Sequence, residues 1–202
     1  LDGRKGGKDM VNPSDHPLFQ RISHWINLVN FLVLGITGWF IHSPYPGMSM
    51  NLVRNLHFIF MYFLVINGVI RFYYSFFGKH KDYDEILLNT QDLKNFWPQT
   101  KYYLFIGKDP ETGKYNPLQK SAYIAFPMMA VVHIITGVIL YRPELAVYAG
   151  YFGGMGNVRS LHYIFMWLFI ALVGVHIYLV FTEAYEQFLY MFFGKMKNQK
   201  GL

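Results

Sequence analysis

The stretch Val158-Arg159-Ser160-Leu161-His162-Tyr163-Ile164-Phe165-Met166-Trp167-Leu168-Phe169-Ile170-Ala171-Leu172-Val173-Gly174-Val175-His176-Ile177-Tyr178 decides the fold. It is apolar for long enough to cross a bilayer, which takes about 20 helical residues, yet it carries a histidine near each end. Ionisable side chains inside a membrane segment are costly and mark function by default. His162 and His176 are fourteen residues apart, close to four turns of a helix with about 3.6 residues per turn. Their imidazoles therefore share one face, separated along the axis by about 21 Å at about 1.5 Å per residue.

Working outward, three further apolar runs are long enough to span, from about Phe19 to Ile41, Leu52 to Phe76 and Leu118 to Tyr141, with the fourth at about Val158 to Phe181. The fold class is an all-α membrane protein, a four-helix bundle, built as one domain over 202 residues. Composition agrees: 53% of residues are hydrophobic and only 15% charged, against about 25% charged in an ordinary soluble domain. Prolines Pro44, Pro46 and Pro143 and the glycines Gly150, Gly153, Gly154 and Gly156 mark the two short connections. The segment Gly78–Pro117 is polar and lysine-bearing, and a short amphipathic helix is expected around Asp84 to Phe96.

Lysine and arginine fall unevenly. Fifteen lie on the side of the termini and of the 78–117 loop, and three, Arg54, Arg142 and Arg159, on the other. Basic short loops stay in the cytoplasm, so both termini and the long loop are expected there, with the two short connections outside. The net charge of +6 thus reads as membrane topology, and no nucleic-acid partner is expected. Leu1 to Asp15 is polar and glycine-rich, and no cleavable signal peptide is expected. Without a cysteine, the chain can supply neither disulfides, thiolate metal sites, c-type haem attachment nor iron–sulfur ligation.

Given that topology, His24 and His176 sit at one depth near the cytoplasmic side, and His57 and His162 at another near the outside. Two six-coordinate haems need four histidines, and these two pairs supply them. Three of the four follow an arginine by three residues: Arg21 before His24, Arg54 before His57 and Arg159 before His162. On a helix such pairs share a face, and each arginine, nearer the surface, is a candidate partner for a haem propionate. His133 lies in the outer half of span three, at a depth where it competes with His57 as a ligand. A hydrogen bond to a carbonyl or a quinone contact are its other readings. His16, His42 and His80 are expected at the interface, His16 within reach of a quinone pocket. Gly35, Gly38, Gly68, Gly137 and Gly174 permit close helix approach and leave room for porphyrin faces. Thr37-Gly38 and Thr136-Gly137 occupy similar local settings in spans one and three.

His16-Pro17-Leu18 with Arg21-Ile22-Ser23-His24-Trp25, followed by Thr37-Gly38, resembles the opening of the cytochrome b subunits of membrane-bound nickel–iron hydrogenases and respiratory formate dehydrogenases. Val158 to His162, Met166-Trp167 and His176-Ile177-Tyr178 are similar to the hydrogenase branch in particular. The loop run Gly113-Lys114-Tyr115-Asn116-Pro117-Leu118-Gln119-Lys120 resembles both branches. The resemblance covers about residues 14 to 185. It implies a multi-pass subunit of the inner (cytoplasmic) membrane that takes electrons from the iron–sulfur subunit of a catalytic dehydrogenase and passes them through two haem b groups to a quinone, menaquinone or ubiquinone. It also makes Asn116 and Gln119 quinone-pocket candidates, with helix capping as the alternative. The competing readings are a stand-alone transmembrane reductase and a haem-free transporter or anchor with a histidine proton relay.

Overall fold

The computed structural model describes residues 17–79, 81, 83–112 and 115–194. Four helices are long and apolar enough to cross a membrane: α1 (Leu18–His42), α2 (Met50–Phe77), α5 (Pro117–Tyr141) and α6 (Met155–Glu183). The expected spans fall inside them. Two short helices, α3 (Tyr83–Ile86) and α4 (Thr90–Tyr103), occupy the long loop, and α7 (Tyr185–Phe193) follows α6. The closest backbone packing is within two hairpins, α1 with α2 and α5 with α6.

The buried positions of the bundle mix polar with apolar residues, while its outer surface is strongly apolar. Ser23, Asn30, Thr37, Asn67 and Thr136 are buried, while Leu32, Ile36, Phe63, Ile66 and Val69 are exposed. Lipid tails solvate apolar side chains as well as the protein interior does, so polar groups are what must turn inward. Within the first hairpin, Asn67 Nδ2 donates to the Ser23 carbonyl at 3.1 Å and to Asn27 Oδ1 at 2.7 Å, and Ser23 Oγ donates to Asn67 Oδ1 at 3.2 Å. Such interhelical bonds contribute roughly 0.6 kcal/mol each in a membrane, enough in combination to fix the rotation of α1 against α2.

The second hairpin is closed not by an irregular connection but by a 3-10 helical segment, Pro143–Phe152. Its Ala149 packs with Ile139 of α5 and Val158 of α6 in one buried cluster. The chain then reverses through Gly153 (φ +81) and Gly154 (φ +108), positive values that a side chain resists.

The loop helix begins later than expected. Asn89 and Asp92 form a reciprocal capping box, so α4 starts at Thr90 and runs to Tyr103. Asp92 also accepts from Lys120 Nζ, near the start of α5, at 2.8 Å, both side chains nearly buried at 10% and 11% exposure. Burial alone would raise the Asp92 carboxyl, but the hydrogen bond from Lys120, the Asn89 backbone N–H and the Lys120 charge outweigh it and hold it below the usual carboxylate range. This tie pins the loop to the membrane helix. Lys120→Met, which strands the carboxylate, should destabilise the folded protein by roughly 3 kcal/mol, read as a lowered melting temperature in detergent. The double change with Asp92→Leu should recover much of the loss. Because the carboxyl is depressed on folding, its stabilisation is complete above the unfolded value of about pH 4 and disappears as pH falls through the lower folded value. Acid should therefore release the loop in the parent and have less effect on the double variant.

Candidate functional site

The two predicted histidine pairs meet. His24 on α1 and His176 on α6 have ring centroids 6.3 Å apart, their planes inclined at 58°. His57 on α2 and His162 on α6 lie 6.4 Å apart at 62°. A metal–imidazole nitrogen bond is about 2.0 Å long, and the ring centroid lies about 1.1 Å beyond the nitrogen. Two imidazoles facing one another across a single iron are therefore about 6.3 Å apart, centre to centre. Both pairs have that spacing, so the residues fit a haem held from both faces.

His133 does not. Its ring is 5.0 Å from that of His162, too close for an iron between them, and its Nδ1 is 2.8 Å from the Met129 carbonyl. A carbonyl only accepts, so this nitrogen carries the proton. That is the carbonyl bond weighed for it as an alternative. Its ring also makes an edge contact with Phe169, in the zone between the two pairs.

Two threonines complete the His57–His162 site. Thr37 Oγ1 on α1 lies 2.8 Å from His57 Nδ1, and Thr136 Oγ1 on α5 lies 2.8 Å from His162 Nδ1. The glycine after each threonine gives the ring its place. A Cβ on Gly38 would stand 3.5 Å from His57 Cε1, and one on Gly137 would stand 3.3 Å from His162 Cε1. These two glycines thus accommodate imidazoles, whereas Gly35, Gly68 and Gly174 have nothing within 4 Å of an added Cβ.

The arginines divide. Arg54 and Arg159 are exposed at the His57–His162 end, and among the described residues neither has a hydrogen-bond or ion-pair partner. Arg21 is engaged elsewhere: its Nε donates to the Met191 carbonyl at 3.1 Å, its Nη2 to that of Phe192 at 3.4 Å, and its guanidinium lies over the Tyr190 ring. Trp25 Nε1 donates to the same Met191 carbonyl at 3.0 Å. Arg21 and Trp25, flanking His24, therefore satisfy the carbonyl end of α7, where helix-end carbonyls and the negative pole of the helix welcome a cation.

Asn116 and Gln119 form a reciprocal capping box at the start of α5, and Asn116 Nδ2 donates to the Tyr103 hydroxyl at 2.8 Å. Capping thus occupies the Asn116 Oδ1 and the Gln119 Oε1. His42 stacks on Tyr163 at 3.7 Å, at the connection end of α1. His16 and His80 lie outside the described residues.

Residues 15–194 match the family described as prokaryotic cytochrome b561. The chain belongs to that family. Members of that family are b-type cytochromes of the membrane, and the four helices long and apolar enough to cross a bilayer agree with that. Among curated relatives, the probable Ni/Fe-hydrogenase B-type cytochrome subunit of Azotobacter vinelandii is 31% identical over 188 residues, 81% of this chain and 78% of the relative. The probable Ni/Fe-hydrogenase 1 B-type cytochrome subunit of Escherichia coli (strain K12) is 27% identical over 199 residues, 85% of each chain. A more distant relative, the putative protein-methionine-sulfoxide reductase subunit YedZ1 of Azospira oryzae, is 24% identical over 179 residues, 82% of this chain and 89% of the relative.

Proposed function

We propose that this cytochrome is the membrane-embedded electron-transfer subunit of a nickel–iron hydrogenase complex, holding two haem b groups between its hairpins. The observation that carries the reading is the 6.3 and 6.4 Å separation of the two histidine pairs. Haem b with both axial positions filled supplies one-electron carriage and leaves no open position for oxygen. His24 and His176 ligate at the cytoplasmic side, and His57 and His162 at the outer side. Arg54 and Arg159 pair with propionates at the outer rim. Arg21, committed to α7, is left a structural part at the other. The apolar outer faces of the four helices seat the chain in the inner membrane and keep water from the ligands.

On this reading, electrons arrive at the outer pair from an iron–sulfur subunit joined to the catalytic hydrogenase subunit, and leave from the inner pair to a quinone. Asn116, Gln119 and His16 remain the quinone candidates, with Gln119 offering its amide N–H groups once its oxygen is spent on the cap. The names of the Azotobacter vinelandii and Escherichia coli relatives support a hydrogenase partner. The Azospira oryzae relative supports a second reading, the same electron carrier serving a different oxidoreductase. A formate dehydrogenase would use the chain in the same way.

Purification of the chain in mild detergent from its own membranes tests all three. The expected result is a stable complex with hydrogenase subunits, a b-type alpha band in the reduced-minus-oxidised spectrum, and haem reduction by hydrogen that a quinone reverses. Reduction by formate alone, or co-purification with a sulfoxide reductase, transfers the role to the other partner. Absence of the alpha band ends the haem reading altogether.

A further inference from the structure

The two Thr-Gly dipeptides make the same contacts in both hairpins, and their hydrogen bonds have only one consistent arrangement. Thr37 Oγ1 is 2.6 Å from the Val33 carbonyl oxygen, and Thr136 Oγ1 is 2.7 Å from that of Val132. Two oxygens so close require a proton between them, and a carbonyl has none. Each threonine therefore donates its single proton back along its own helix. What remains toward the imidazole is a lone pair, so His57 Nδ1 and His162 Nδ1 must be the donors across their 2.8 Å contacts. The tautomer is settled in both rings. Nδ1 bears the proton, and Nε2 has a free lone pair.

We propose that Thr37 and Thr136 are paired positioning residues that fix both ligands of the His57–His162 site with Nε2 aimed at the iron. This rests on the reading of that pair as haem ligands. Each threonine acts on the histidine of its own hairpin partner, α1 on α2 and α5 on α6, so each hairpin presents a ligand already oriented before the halves close on the cofactor. An imidazole that donates such a bond is also the more basic ligand, which favours ferric iron and lowers the potential. Gly38 and Gly137 belong to the device because they let each ring reach the hydroxyl of the preceding residue.

Thr37→Val and Thr136→Val, made singly in the full complex, keep shape and remove the hydroxyl acceptor, Thr136→Val being the cleaner test because the Leu34 carbonyl still accepts from His57. Thr37→Ser and Thr136→Ser keep the acceptor. Haem content, the midpoint potential of each b haem and the low-spin ferric electron paramagnetic resonance signal are the readouts. In the valine variants, the haem that His162→Ala removes should bind about 10- to 100-fold more weakly, titrate at a higher potential and change its signal. The other haem should stay at parental values, and serine should restore the parent. Valine variants with parental potential and signal overturn the proposal. So does a serine variant that fails alongside valine, because packing would then be the cause. If a valine variant does not assemble, the serine variant decides: parental values uphold the proposal, and loss overturns it. The underlying ligand reading fails separately, when His162→Ala removes no haem from the parent.

Discussion

His162→Ala is expected, on the two-haem reading proposed above, to lower haem content from two equivalents per chain to one, and to cut hydrogen-dependent quinone reduction by at least about 100-fold, more than loss of an outer-shell partner costs. The change leaves His57 as the sole ligand of its pair, with a void where the second ring stood 6.4 Å away. The His24–His176 pair lies four turns along α6 and shares no contact with the substituted ring, so its alpha band should persist. Hydrogen reduction of the remaining haem should become slow, because its supply from the outer side is cut. His133 is the internal rival. Its ring is 5.0 Å from that of His162, and with Nδ1 committed to Met129, Nε2 has a lone pair to offer. Two full haem equivalents in His162→Ala would overturn the pairing and promote His133 to ligand in its place.

Gly137→Leu should do nearly as much damage without touching a ligand. A Cβ there already stands 3.3 Å from His162 Cε1, tighter than ordinary van der Waals contact, so a leucine must displace the ring or push α5 from α6. Overpacking of this kind costs about 1–3 kcal/mol. Ring displacement is the cheaper escape, and it breaks the Thr136 bond. Haem content at that site should fall by more than half, with a lower melting temperature in detergent. Gly38→Ala meets His57 at 3.5 Å and should retain both haems. Full haem content in Gly137→Leu would mean that α5 and α6 separate freely, contrary to their close packing.

The helical period exposed the histidine pairs because a ligand must face inward at a fixed depth, and both demands are written in spacing. The likeness of Thr37-Gly38 to Thr136-Gly137 was visible too, but not its purpose, since each threonine meets a histidine on another helix. The Asn89 cap was there to place the start of the loop helix at Thr90, but Asp92 stands where the usual capping-box pattern has Glu or Gln. Ser23, Asn27 and Asn67 were likewise legible as polar residues within apolar spans. Arg21 was not. Its i−3 relation to His24 matches those of Arg54 and Arg159, and only α7, 170 residues further on, redirects it. Local spacing says which face a side chain shares, and is silent about what arrives later to cover it.

That lateness bears on how the molecule is made. Arg21 and Trp25 emerge from the ribosome early, while the carbonyls they hold, on Met191 and Phe192, emerge after every spanning helix. The end of the bundle around His24 is therefore fastened by the last of the described helices, after all four spanning helices have been made. The opposite end, closed by Ala149, Ile139 and Val158, is finished sooner. Chain order thus sets an order of completion, in which the contacts that close the end around His57 and His162 are available before those that close the end around His24.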